Sequence, residues 1–139
     1  TNGPAITHDD KKLYHVSSLH KKVFCFEKNN EKLSNKKIYF ELDQNDGYPD
    51  GLTIDEENFV WLAVWGGSKI IRISPDGEVD KIIKFPTSQI TSCVFGGSEM
   101  NILFVTSASV GKNIDKDVHA GNLFSVTTNK KGFPSPHFG

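Results

Sequence analysis

Short apolar runs recur along this chain at a nearly constant interval, and that recurrence limits the fold more than any other feature. Gly3, Ile6, Leu13-Tyr14, Val23-Phe24 and Phe26 are followed, 47 to 48 residues later, by Gly51, Ile54, Val60-Trp61, Ile70-Ile71 and Ile73. A third set, Phe95, Leu103-Phe104, Leu123-Phe124 and Val126, is displaced by 41 to 43 residues in its first half and 53 in its second. The longer interval comes from an insertion between Ser107 and Ala120 that is rich in Gly, Asn, Asp and Lys.

Each run is β-branched or aromatic and is bounded by turn residues, which reads as a strand. Strands are expected at Leu13–Val16, Val23–Phe26, Val60–Trp65, Ile70–Ile73, Ile82–Phe85 and Ile102–Val105. Ser74-Pro75-Asp76-Gly77 marks a turn, since Pro presets φ and Gly accepts a positive one. Helix signals are nearly absent. Several strands per unit at a period of roughly 40 to 50 residues is the pattern of β-propeller blades. The expected class is all-β, with about three blades of a propeller, fewer than the four to eight that typically close a ring.

The bulk numbers exclude partners more than they name them. Sixteen basic against 17 acidic side chains give no electrostatic case for nucleic acid or an anionic membrane. No apolar run approaches the ~18 residues that span a bilayer. With no initiator Met and no signal peptide, Thr1 is expected to begin a processed or truncated chain. Cys25 and Cys93 form no C-x-x-C pair and are expected to be two buried thiols, which fits a reducing, cytoplasmic compartment. A processed extracellular chain is the alternative.

Chemistry enters where the repeat carries oxygen donors. Asn2 and Asp50 are 48 residues apart, each immediately before a glycine and each at the opening of a unit. In a propeller the innermost strand of every blade lines the central channel, so equivalent positions of successive blades point at one spot. The third equivalent is Ser92. Amide, carboxylate and hydroxyl oxygens suit Ca²⁺, Mg²⁺ or Mn²⁺, and a carboxylate-plus-amide set also takes Zn²⁺. One carboxylate holds a divalent cation poorly, so a further acidic ligand is expected from outside this chain. Asn-Gly and Asp-Gly are also common turn pairs, and turn formation alone is the other reading.

Other residues read as structure. His8, His15, His20, His119 and His137 share no metal spacing. Trp61 and Trp65 read as core, although Trp65, before Gly66-Gly67, is placed to edge a pocket. The pairs Lys11-Lys12, Lys21-Lys22, Lys36-Lys37 and Lys130-Lys131 read as solvated hairpin tips, as do Asp9-Asp10 and Asp55-Glu56-Glu57. The Ser107–Ala120 insertion is the loop expected over the channel mouth.

At this point the residues match a family. Pro49-Asp50-Gly51-Leu52-Thr53-Ile54-Asp55, Trp61-Leu62-Ala63 and Gly66 through Gly77 resemble the regucalcin (senescence marker protein) and gluconolactonase family, insect members most closely. Thr91 through Gly97, Leu103 through Ala108 and Ala120 through Phe124 continue the resemblance in order. It implies a six-bladed propeller with one divalent metal in its channel, this chain (1–139) being the C-terminal half of a single domain. The partner would be the N-terminal half, on a second chain or a missing segment. Family ligands are a Glu from the first blade, an Asn opening a later blade and the Asp of Pro-Asp-Gly; Asn2 and Asp50 match the last two. The Glu, with the Asn and Arg that contact substrate, would precede Thr1. One departure stands out: in Tyr14-His15-Val16-Ser17-Ser18 the family has Asp where this chain has Ser17.

The resemblance implies metal-dependent hydrolysis of a lactone or cyclic ester, with Asp50 as both ligand and general base and Asn2 as neutral ligand. A non-catalytic propeller that binds calcium or a small molecule is the alternative that the Ser17 departure motivates.

Overall fold

The computed structural model describes residues 1–134, so His137 lies outside the described residues. Every regular element is a strand. The first sheet runs β1 (Asn2–Ile6), β2 (Lys12–Ser17), β3 (Lys22–Asn29) and β4 (Lys32–Glu41). The second runs β5 (Tyr48–Ile54), β6 (Val60–Trp65), β7 (Lys69–Ile73) and β8 (Val79–Lys84). The third has β9 (Ile90–Gly96), β10 (Ile102–Ser107) and β11 (Leu123–Thr127) among the described residues. In each sheet the strands lie in chain order, with antiparallel neighbours. These are three propeller blades, as the repeat requires. No helix among the described residues is long and apolar enough to cross a membrane.

The burial of β6 shows why the blades stack. Val60, Leu62 and Val64 project into one core with Tyr14, Val16 and Val23 of the first blade. Trp61 and Ala63, the alternate positions, project into a second core with Cys93, Phe95, Leu103 and Val105 of the third. A strand buried on both faces loses the polar half of its alternation, and Val60-Trp61-Leu62-Ala63-Val64-Trp65 is therefore apolar throughout. The outer strands β4 and β8 are mostly exposed and carry Lys32, Lys36, Lys37, Lys81 and Lys84. Phe85 leaves β8 and packs into the second core rather than extending the strand. Cys25 and Cys93 are free and buried, as expected.

The inner strands β1, β5 and β9 pack side by side. Gly51 makes this approach possible: a Cβ there would lie 2.4 Å from Ser92 Oγ and 2.8 Å from the Thr91 carbonyl oxygen. Ser92 thus fills the space that Gly51 leaves on β5.

Two expected hairpin tips are not solvated. Asp55, just beyond β5, is fully buried. Its Oδ1 accepts from the backbone N–H of Glu57 and of Phe59, both at 3.0 Å, and its Oδ2 from Trp61 Nε1 at 2.9 Å and Arg72 Nε at 2.8 Å. Arg72 is also buried, stacks over Phe59 at 3.6 Å from the ring centroid, and pairs with Asp80 and Glu57. A carboxylate with this many donors can leave water. Lys21 is the second correction. Only 8 % exposed, it lays its ammonium over the Tyr48 ring and donates to the Gln44 carbonyl.

Candidate active site

The site begins with a fault in the ladders. The register of β1 against β2 shifts between Asn2 and Ala5, and that of β5 against β6 shifts between Pro49 and Leu52. The fault recurs at one place in two successive blades. A bulge inserts an unpaired residue and re-aims the side chains beside it. Asn2 is the last paired residue before the first irregularity and Asp50 the first unpaired residue within the second, and both line a single cavity of about 280 Å³. Ser18, from the β2–β3 turn, also lines it, with Leu19, Pro49 and the aromatic rings of Tyr48 and Trp65.

Asn2 Nδ2 donates to Ser18 Oγ at 3.0 Å. That bond commits the amide nitrogen and leaves Oδ1, with both lone pairs, without a hydrogen bond among the described residues. Asp50 is half-buried, and no side chain among the described residues donates to it. Burial pushes its carboxyl above the usual aspartate value, while the Gly51 N–H pulls the other way. A carboxylate with only the Gly51 N–H as partner and an amide oxygen without a hydrogen bond among the described residues line one cavity, and together they form a donor set for a hard divalent cation. The fit is partial: among the described residues no three His, Cys, Asp or Glu side chains come together as a metal-binding group.

Ser92 stands apart from its two repeat equivalents, since it packs at Gly51 and does not line the cavity. Trp65 does line it, although core packing was the expected role; as the direct cross-strand partner of Tyr48, it leaves the sheet on the same face. Ser17 pairs its hydroxyl with His20 Nδ1 at 2.9 Å, outside the lining, and its neighbour Ser18 makes the contact to Asn2. The Ser107–Ala120 insertion leaves the sheet where the other blades have their short β2–β3 and β6–β7 turns. It is tied to the connector before β9, through Thr87 Oγ1 to Asp117 at 3.0 Å and Gln89 Nε2 to the Val110 carbonyl at 2.8 Å. No residue of the insertion lines the cavity.

Comparison with known proteins meets this geometry. The profile described as SMP-30/Gluconolactonase/LRE-like region matches residues 1–109. The chain belongs to this family. Regucalcin of Xenopus laevis is 35% identical over 133 residues, which cover 91% of this chain and 44% of that protein. The putative sugar lactone lactonase YvrE of Bacillus subtilis is 31% identical over 91% of this chain and 46% of its own length. A solved luciferin-regenerating enzyme superposes with a TM-score of 0.84 at 35% identity, over 95% of this chain and 46% of that one. The chain thus spans about half the length of the relatives it matches, and its sheets are three blades of a six-bladed propeller. The SMP-30/gluconolactonase match contains both Asn2 and Asp50.

Proposed function

We propose that this chain is the C-terminal half of a six-bladed hydrolase for lactones or related cyclic esters, and that Asn2 and Asp50 hold one divalent cation in its channel. One observation carries the reading: equivalent bulges in two blades deliver an amide oxygen and a half-buried carboxylate, neither with a side-chain donor, to the same cavity. The family name, which includes gluconolactonase, supports the reaction class. Ca²⁺ or Zn²⁺, and equally Mg²⁺ or Mn²⁺, suits such oxygens, and a further acidic ligand comes from the N-terminal half. When bound, the cation supplies Lewis acidity to a carbonyl oxygen and lowers the pKa of water.

This chain's residues have separate tasks. Asp50 accepts the proton of the attacking water at a carboxylate oxygen; its partial burial raises its basicity for that purpose. The water oxygen bonds to the acyl carbon, the ring C–O bond breaks, and the proton held on Asp50 passes to the leaving alkoxide, giving a hydroxy acid. Asn2, its nitrogen tied to Ser18, offers its oxygen in a fixed orientation without adding negative charge.

The second reading, a propeller that binds calcium or a small molecule without turnover, draws on Ser17, which is bonded to His20 away from the cavity. Metal analysis, native mass and lactone turnover of the completed propeller separate the two. The hydrolase reading expects a native mass near twice that of this chain, one divalent cation, and turnover lost in Asp50→Ala. Turnover that survives Asp50→Ala sinks the catalytic assignment, and tight cation binding with no turnover across a lactone panel favours the second reading.

A further inference from the structure

Asn2 and Asp50 belong to different blades, so something other than their own strands must set the distance between them. Asn2 is the last paired residue before one register fault, and Asp50 lies unpaired within the other. Side chains at such faults take their places from whatever holds the flanking residues. One short segment reaches both flanks: the turn between β2 and β3. Ser18 Oγ accepts from Asn2 Nδ2 at 3.0 Å. Three positions on, Lys21 crosses to the next blade. Its ammonium donates to the Gln44 carbonyl and lies 4.6 Å from the ring centroid of Tyr48, two positions before Asp50. The Lys21 N–H closes the turn on the Ser18 carbonyl at 3.0 Å, and the Ser17 hydroxyl meets His20 Nδ1 at 2.9 Å. Ser18 and Lys21 are therefore held as one piece.

The second blade shows that a lysine is not needed to make this turn. Ser68 occupies the equivalent place, just before β7, as Lys21 does before β3. Their φ values are 54° and 55°, and their carbonyls accept from the N–H of Phe85 and Leu42 at 2.8 and 2.9 Å. At the same backbone geometry the seam between the two ligand strands has a lysine and the next seam a serine. The lysine is a costly choice. Its ammonium is buried, and no carboxylate pairs with it among the described residues. We propose that the β2–β3 turn is the positioning element of the cation site: Ser18 orients the Asn2 amide, and Lys21 fixes the start of β5 and with it the Asp50 carboxylate. The proposal rests on the cation reading for what the two oxygens bind, but not for what holds them.

Mn²⁺ titration of the completed propeller tests it, with Asp50→Ala as the control for the cation reading. Ser18→Ala and Lys21→Met should each weaken Mn²⁺ binding about tenfold or more, the usual loss when a ligand's orienting partner is removed. Ser18→Thr, which keeps the hydroxyl, should restore it. Lys21→Met keeps the apolar stem and removes an uncompensated buried charge, so its denaturant midpoint should equal or exceed that of the parent; a merely structural role would lower the midpoint instead. Affinity within about twofold of the parent in either Ser18→Ala or Lys21→Met overturns the proposal, while loss of binding in Asp50→Ala leaves the cation reading standing. If Asp50→Ala binds Mn²⁺ like the parent, the cation reading fails, and amide hydrogen exchange of the metal-free propeller decides the positioning alone. Exchange at Tyr48 and Asp50 that is faster in Lys21→Met upholds it, and unchanged exchange overturns it.

Discussion

Two aspartates mark the two ends of β5, and their surroundings differ completely. Asp55 is fully buried and accepts from two backbone N–H groups, an indole and a guanidinium. Asp50, five residues earlier, is half-buried with no side-chain donor among the described residues, although it lines a cavity. A carboxylate whose lone pairs are all engaged is part of the fold, and it has nothing left to offer a ligand. A carboxylate partly withdrawn from water with only one backbone N–H, that of Gly51, in compensation is costly to the fold, and the cost makes sense where a ligand or proton supplies the missing partners. One strand thus carries a structural acid at one end and a chemical acid at the other.

The largest effects should fall on opposite properties at these two positions. Asp50→Asn is expected to lower lactone turnover of the completed propeller by about 10²–10⁴-fold, the range for loss of a general base, with little loss of thermal stability. Asp55→Asn is expected to cost about 1–3 kcal/mol of stability, because the amide nitrogen that replaces one carboxylate oxygen faces the Trp61 and Arg72 donors and leaves them unsatisfied, while Arg72 keeps Glu57 and Asp80 as counter-charges. Denaturant unfolding together with a lactonase assay reads both. If Asp55→Asn melts like the parent, or Asp50→Asn keeps its turnover, the division of labour fails.

Much of this was legible in the sequence, and the boundary has a physical reason. The strands were readable because apolar runs and turn residues are local signals, and the convergence of Asn2 and Asp50 because 48 residues is one blade. Asp55 was misread as solvated because its decisive partner, Arg72, is 17 residues away on another strand, and only the β6–β7 register brings the two together. Lys21 was misread for the same reason: its partners are Gln44, in the connection into the next blade, and Tyr48, the first residue of β5. Trp65 read first as core, with a pocket-edge place before Gly66-Gly67 as the lesser reading, and it is the pairing with Tyr48 that sets it in the cavity lining. Ser92 matched Asn2 and Asp50 by position, yet the empty side of Gly51 draws it against β5 and away from the cavity.

Gly51 tests whether the chemical end of β5 depends on close strand approach. Alanine at this position puts a methyl group against Ser92 and the Thr91 backbone oxygen, closer than unstrained atoms approach. The expected penalty is about 1–3 kcal/mol, typical of overpacking, with a drop in cation affinity because Asp50 is the adjacent residue. A Gly51→Ala protein that matches the parent in both unfolding and cation titration would show that β5 and β9 have slack at this point.

The smallest effect concerns pH, and its value lies in its sign. Burial raises the Asp50 carboxyl above its ordinary 3.8, so the folded state holds this proton more tightly than the unfolded chain does. Its contribution is present below the unfolded value and is lost as pH rises through the raised folded one. Glu57, beyond the other end of β5, is the opposite case: Lys130 and Arg72 hold its carboxyl below the ordinary 4.5. Its contribution is present above the unfolded value and is lost as pH falls through the lowered folded one. Thermal melts of the completed, metal-free propeller across the acidic range should therefore diverge in opposite directions. Relative to the parent, Asp50→Asn should gain stability as pH rises, and Glu57→Gln should lose it. The Glu57 difference should be small and should shrink in salt, since its side chain is 46% exposed. An Asp50→Asn offset that stays constant with pH would mean that burial does not perturb this carboxyl, and the case for Asp50 as a tuned base would lose its electrostatic support.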